Sequence, residues 1–419
     1  MTKTLNVWWA GEIVGALSID RHGEMGFAYA PEWLADGDKP ALSFSLPKRE
    51  MPFSRRECRP FFEGLLPEES QRIAVAGALG VSNGNEFKLL DELGGEVAGA
   101  LTLWPEGEAP PAPSLVTQNK PLGEAALVEL LDELPVRPFL AGREGLRLSL
   151  AGAQSKIPVV LVDGEIALPA PGEATSHILK PSIERFPGTT ENEAFAMRLA
   201  KRIGLGVADV EIRRAGDRSF LLVERYDRIR DKEGLLRRLH QEDFCQALGF
   251  TSDRKYAADG GPVFHDCFEL LRRAATRPAV EVLKLFDAAI FNLIIGNADA
   301  HAKNFSLLFR ENGVIELAPL YDLLSTVYYP NLSPRLAMKI AKRLTLEELR
   351  SSDWKKFAEE TGLALRFIRT RAGELTNAVS ESIDETKAEI LDSALDRNAV
   401  KEISNLISAR ASSLRQHVS

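Results

Sequence analysis

The chain has 419 residues, too many for one ordinary core, so two or three domains or lobes are expected. Hydrophobic residues make up 45% and charged residues 27%, enough apolar material for a sizeable globular core. The net charge of −8 argues against a dedicated nucleic-acid binder, which needs a basic face, though not against a partner that binds nucleic acid.

In chain order, LNVWWAG, EIVGALSI and EMGFAYAP are strand-like pieces separated by turns. CRPFFEGLLPEESQRIAVAGALG reads as helix and GGEVAGALTLWP as strand again. WPEGEAPPAPSLVTQNKP carries five prolines and is the linker candidate. GEAALVELLDELP is a short amphipathic helix. From Leu146 the pattern returns to β: LRLSL, KIPVVLV and EIALP read as strands, with a hairpin at Asp163-Gly164, and HILKP as a further strand. TENEAFAMRLAKRIGLG reads as a helix, with Thr190 and Glu193 in capping-box spacing and Gly204 as its stop. SFLLVERYDR is another strand. After about Leu239 the expected helices are HQEDFCQALG, VFHDCFELLRRAA, PAVEVLKLFDAAIFNLIIG, LTLEELRSSDWKKFAEETG and a run from Ser380. One hairpin interrupts them, FSLLFRENGVIELAP, turned by Asn312-Gly313.

The expected architecture is therefore α+β. A β-rich N-terminal module (1–105) is followed by a Pro-rich linker (106–122), a β-rich lobe (123–228) and a helical lobe (229–419). Cys58, Cys245 and Cys267 are odd in number and fit no zinc-ribbon spacing, which points to a reduced cytosolic protein. The N-terminus shows no secretory h-region, and the longest apolar run, AAIFNLII, is too short for a membrane span. A soluble cytoplasmic protein is expected.

The chemistry concentrates in GNADAHAKN, residues 296–304, set between two apolar stretches. Asp299 and Asn304 are five positions apart, the step that separates the catalytic Asp of protein kinases from their metal-binding Asn. A solvated connection would explain the loop equally well taken alone. Asp322 tips the balance, because the intervening hairpin returns the chain to where it left and so brings a second Mg²⁺ ligand beside Asn304. Lys180 ends the strand HILKP, where kinases keep their phosphate-binding lysine, although an ordinary strand-end lysine fits too. RLSLAGAQSK, with Ser149, Gly152, Gln154 and Lys156, is a weak phosphate-loop candidate and is not a Walker loop. VERYDR is either an inter-lobe segment facing adenine or a charged strand end. Gln241 either reaches a nucleotide or joins Glu242 and Asp243 in the first turn of a helix. Glu193 either pairs with Lys180 or closes the capping box, and the capping box is the favoured reading.

Taken together, SLAGAQSK, HILKP, ENEAFAMRLAKRIGL, VERYDR, QEDFCQALG, KYAADGGP, NADAHAKNFSLL and LYDLLS resemble the HipA family of serine/threonine kinases, the toxin halves of bacterial toxin–antitoxin pairs. The N-terminal module resembles that family's front subdomain. The resemblance implies ATP and Mg²⁺ as cofactors, with Asp299 as catalytic base and Asn304 and Asp322 as metal ligands. Ala151, Gly152, Ala153 and Gln154 would form the phosphate loop, and Lys180 would contact the phosphates. Glu224, Tyr226 and Asp227 would line the adenine and ribose site, with Gln241, His301 and Tyr321 nearby. Ser149 would be autophosphorylated, throwing the loop out and silencing the enzyme. Ser155, standing where an acidic residue is common, adds a second hydroxyl there. The implied partners are a HipB-like helix-turn-helix antitoxin that binds DNA, and a protein of the translation machinery such as an aminoacyl-tRNA synthetase. Other readings are a silent corepressor, a small-molecule kinase and, least favoured, a metal hydrolase, since the six histidines never pair at i, i+4.

Overall fold

The computed structural model describes residues 2–112, 119–143 and 145–418. The part of the linker around Pro113 falls outside the described residues. The front module opens with strands β1 (Lys3–Trp9), β2 (Glu12–Ile19) and β3 (Met25–Tyr29) and the short helix α1 (Pro31–Ala35). Helices α2 (Arg55–Glu63), α3 (Glu69–Leu79) and α4 (Glu86–Leu93) follow, then β4 (Leu101–Pro105). The strands form an antiparallel sheet in the order β3-β2-β1-β4. Its register sets Leu5 opposite Leu17 and Leu17 opposite Phe27, so one row of apolar side chains faces the helices. The helix expected over Cys58–Gly80 is two helices, because Pro67 interrupts the hydrogen-bond ladder between α2 and α3.

Helix α5 (Glu124–Glu133) leads to a second sheet built from β5 (Ile157–Val162), β6 (Glu165–Ala167), β7 (His177–Pro181), β8 (Val210–Ala215) and β9 (Arg218–Glu224), in the order β6-β5-β7-β9-β8. Helix α6 (Thr189–Arg202) crosses from β7 to β8. Asp163 (φ 52°) and Gly164 (φ 85°) turn the β5–β6 hairpin as expected for a two-residue loop with positive φ at both positions. LRLSL is not a strand; only Leu148 makes a parallel bridge, to Glu96, before the chain turns into the 151–156 loop. The sheet buries both faces. Leu179, Phe220 and Leu222 join the apolar core of the front module, whereas Leu221, Val223 and Ile212 join that of the helical part.

A small hairpin, β10 (Arg228–Arg230) and β11 (Leu236–Arg238), precedes β12 (His240–Asp243) and helix α7 (Phe244–Leu248). HQED is thus strand, not the first turn of a helix, since its backbone pairs in register with a strand of the later hairpin. Helices α8 (Phe264–Ala274) and α9 (Pro278–Ile295) come next, then that hairpin, β13 (Ser306–Phe309) and β14 (Ile315–Leu317). The chain closes with α10 (Asp353–Thr361), α11 (Leu365–Ser393) and α12 (Arg397–Val418). The helix expected from Leu344 begins only at Asp353, and the one expected from Ser380 begins at Leu365. Ile383, Ile390, Val400, Ile403 and Ile407 of the last two helices pack into the same core as α9. All three cysteines are buried and free. Among the described residues no helix is long and apolar enough to cross a membrane.

Candidate active site

Helix α9 is buried along its C-terminal half and ends at Gly296, whose φ of 75° only glycine adopts readily. The loop that follows is pinned at its base. Asn297 donates to Asn292 Oδ1 (2.9 Å) and to the Asp322 carbonyl (3.3 Å), and the Ala298 amide donates to Thr326 Oγ1 (2.8 Å). Asp299 is left at the surface, where it accepts one hydrogen bond from the Tyr256 hydroxyl at 2.9 Å. The protein crowded around this carboxyl raises its pKa, against the opposing pull of that hydrogen bond. The His301 amide donates to Asn304 Oδ1 at 3.1 Å, which fixes the Asn304 amide. His301 itself is buried and neutral, its pKa pushed down to about 3 by burial, and its Nδ1 has no hydrogen-bond partner among the described residues. Tyr256 stands edge-on to its ring, 5.3 Å between centroids.

On β7, Lys180 is buried and bridges two acids. Its Nζ lies 2.7 Å from Glu193 Oε1 on α6 and makes a short contact with Asp322 Oδ1. Burial alone would lower the lysine pKa, but the two carboxylates outweigh it and hold Lys180 charged. Burial likewise pushes Asp322 up, yet Lys180 and Lys156 keep it ionised, well below the usual carboxylate range. Glu193 is wholly enclosed and burial pushes its pKa up. Glu193 therefore belongs to the lysine and not to a capping box: α6 begins at Thr189 behind Gly188, which puts Thr190 inside the helix. Asp322 has φ 52°, a left-handed backbone that a non-glycine residue rarely adopts. The Tyr321 hydroxyl contacts Ser306 Oγ and the Lys303 carbonyl, both at 2.7 Å, and so ties the Asp322 turn to the residue before Asn304. The hairpin thus brings Tyr321, next to Asp322, back to Lys303, next to Asn304.

The 151–156 loop lies against this cluster. Gly152 has φ 113°, and a Cβ there would fall 2.6 Å from Lys156 Nζ. Lys156 is buried and donates to the Ala151 carbonyl at 3.0 Å; burial lowers its pKa. Ala153 is exposed, Ala151 and Gln154 are half-buried, and Ser155 Oγ reaches Gln71 Oε1 at 3.3 Å. Ser149 is fully buried, its Oγ donating to the Leu65 carbonyl of the front module at 2.7 Å.

On the strand-end side, Glu224 is exposed. The Tyr226 ring stacks on Tyr321 (5.8 Å, 23°) and its hydroxyl bonds to Gln241 Oε1. Asp227 is not brought to this surface. It is enclosed, accepting from the Gly99 amide at 2.7 Å and from Arg225 at 2.8 and 2.9 Å, with Gln241 Nε2 at 3.3 Å.

Among the described residues no group of three or more His, Cys, Asp or Glu could hold a metal. Asp322 and Asn304 offer one carboxylate and one amide oxygen. That pair suits Mg²⁺, which takes one or two carboxylates and fills its sphere with phosphates and water, and does not suit zinc. The sequence marks Lys156 only as part of a weak phosphate-loop candidate and gives no role to Tyr256 or Lys303. All three lie inside stretches quoted above, but only the folded chain shows what they touch.

Residues 5–104 match the HipA N-terminal domain and residues 148–389 the HipA-like C-terminal domain. Y4mE of Sinorhizobium fredii, a protein provisionally named a kinase, is 58% identical over 417 residues, covering 99% of both chains. The serine/threonine-protein kinase toxin HipA of Shewanella oneidensis is 30% identical over 92% of this chain and 89% of its own. A solved structure of the Shewanella oneidensis HipA in complex with HipB and operator DNA superposes with a TM-score of 0.83 at 28% identity, covering 97% of this chain and 96% of that one.

Proposed function

The chain belongs to the HipA serine/threonine kinase toxin family, and from that premise we propose that it transfers the γ-phosphoryl group of ATP to a protein Ser or Thr hydroxyl. The observation that carries this reading is the buried Lys180 bridged to both Glu193 and Asp322, opposite the loop that holds Asp299 and Asn304. A lysine so held is a fixed cation for the nucleotide phosphates. Asp299, exposed and with one oxygen taken by Tyr256, is free to accept the proton of an attacking hydroxyl. Asp322 and Asn304 would hold Mg²⁺, which when bound neutralises phosphate charge. Positioning and charge neutralisation then supply most of the barrier reduction.

In the same reading Ala151 to Gln154 cover the phosphates, and Tyr226, Gln241 and Tyr321 flank the nucleotide with Glu224 at the strand end. Asp227 acts from behind them as a structural support, as its enclosure suggests. Ser149 is the self-phosphorylation site. A phosphate adds a charge of about −1.5 to −2 and cannot be accommodated where the hydroxyl now sits, so the loop must leave. The proposed partner is a HipB-like helix-turn-helix antitoxin that links the chain to DNA. The proposed substrate class is a protein of the translation machinery, and the proposed compartment is the cytoplasm. Asp299→Asn is expected to abolish phosphoryl transfer while leaving the melting temperature near that of the parent chain. Near-normal transfer in that variant would rule out the assigned base.

A further inference from the structure

We infer, resting on the kinase reading above, that Glu68 of the front module is a positioning residue that braces both ends of the catalytic loop. Glu68 follows Pro67 in the connection between α2 and α3 and is buried. Its Oε2 accepts from Lys255 Nζ at 2.8 Å, and its Oε1 lies 3.6 Å from Lys303 Nζ. Lys255 immediately precedes Tyr256, whose hydroxyl holds Asp299 at 2.9 Å. Lys303 immediately precedes Asn304 and is fixed a second time by Asp243, at 2.7 Å. One carboxylate therefore reaches the proposed base through Lys255 and Tyr256, and the proposed metal ligand through Lys303.

The neighbouring Glu63 shows what an ordinary buried acid of this module does. It is paired by Arg59 (3.5 Å) and Arg72 (2.9 Å) of the module itself. Glu68 instead turns both oxygens outward, to Lys303 within the catalytic loop and to Lys255, next to the tyrosine that holds Asp299. The same connection also holds the phosphate loop, but through its backbone. The Glu68 amide donates to the Gly152 carbonyl at 3.2 Å, and the Leu65 carbonyl accepts from Ser149. Removing only the Glu68 charge leaves those backbone contacts in place. Lys255 keeps Glu69 at 3.0 Å and Lys303 keeps Asp243, so the fold retains its neutralising charges. ATP affinity and catalytic alignment then separate.

The test uses the full chain as wild type, Glu68→Gln and, as a matched control, Glu63→Gln. Phosphate gained per molecule under Mg²⁺-ATP is followed by intact mass across ATP concentrations, and amide hydrogen exchange is followed over residues 297–305. For Glu68→Gln the limiting rate is expected to fall by about tenfold to a hundredfold, the loss that small misplacements cause. Half-saturating ATP should stay within about twofold of wild type, because the backbone contacts to the phosphate loop are unchanged. Exchange in 297–305 should quicken in Glu68→Gln and not in Glu63→Gln. Lys255→Gln cuts the same bond from its far end and should give the same pattern, so a Glu68 variant that fails to fold does not end the test. Unchanged exchange at 297–305, or equal changes in the Glu63 control, would overturn the brace. A wild type that gains no phosphate would overturn the kinase reading alone, and the exchange measurement would still judge the brace.

Discussion

Two buried charge clusters in this molecule differ in how completely they are closed. At the junction of the front module and the second sheet, Glu96 is surrounded by Arg225, Arg228 and Arg238 at 2.6–3.1 Å, with the Thr175 hydroxyl at 2.8 Å. Both of its oxygens are used, and Asp227 shares two of the arginines. In the second cluster, Lys180 and Glu193 are as deeply buried, but the Asp322 side chain keeps a third of its surface exposed. The first cluster has no capacity left and can only hold two parts of the chain together. The second pairs a fixed cation with a carboxylate that faces solvent, which is what a site for phosphates and a metal ion requires. Burial of charge by itself therefore marks neither stability nor function; the open edge distinguishes them.

This contrast can be broken at the junction first. Glu96→Gln leaves Arg225 and Arg228 to Asp227 alone and takes from Arg238 its carboxylate, and uncompensated buried charge of this kind costs about 3–5 kcal/mol. Chemical denaturation should show that loss, together with a reduced rate of phosphoryl transfer only in proportion to the unfolded fraction. At the Lys180 cluster the expectation reverses. Lys180→Met should lower the transfer rate by about 10²–10³-fold, typical of losing one preorganised electrostatic contact, with a smaller loss of stability than Glu96→Gln. A Lys180 variant that melts as early as Glu96→Gln but transfers phosphate normally would erase the distinction between the two clusters.

A third acid sharpens the comparison, because it has neither a cation nor an opening. Glu242 on β12 is buried against the front module, accepting from Ser43 Oγ and the Phe44 amide, and burial pushes its pKa from 4.5 up to about 8. The stability it contributes is full below pH 4.5 and is lost as pH rises through 8. His240, two residues earlier on the same strand, has its pKa lowered to about 4 by burial, so its contribution is full above 6.5 and lost as pH falls through 4. Glu242→Gln should flatten the decline of the melting temperature between pH 5 and 8 without altering the acid limb. An unchanged alkaline decline would show that Glu242 is not its source.

What could be read in the sequence was what short-range spacing encodes. Asp299 and Asn304 share one loop, Asp163-Gly164 and Asn312-Gly313 turn their hairpins, and Lys180 ends a strand; each depends on neighbours a few residues away. What could not be read depends on partners far along the chain. Glu193 matches a capping box by spacing, the reading favoured over a Lys180 pair, yet its partner is Lys180 on β7. HQED looks like a helix start because Asp243 does cap α7, but pairing with β13 makes the preceding residues strand. Helix α11 begins fifteen residues before the expected Ser380, through a stretch holding Ile368, Thr370, Gly373, Thr376 and Val379, all weak helix formers. Burial of Ile368, Ala372, Leu375 and Val379 overrides that weakness, and only tertiary packing could reveal it. Nothing local marks Glu68 at all, since both of its cations lie more than 180 residues away.

The most direct measurement is intact-mass spectrometry of dephosphorylated full-length protein before and after incubation with Mg²⁺-ATP, with Asp299→Asn alongside. The account predicts a gain of one phosphate in the wild type, mapped to Ser149, and none in the variant. No gain in the wild type, or an equal gain in Asp299→Asn, would contradict it.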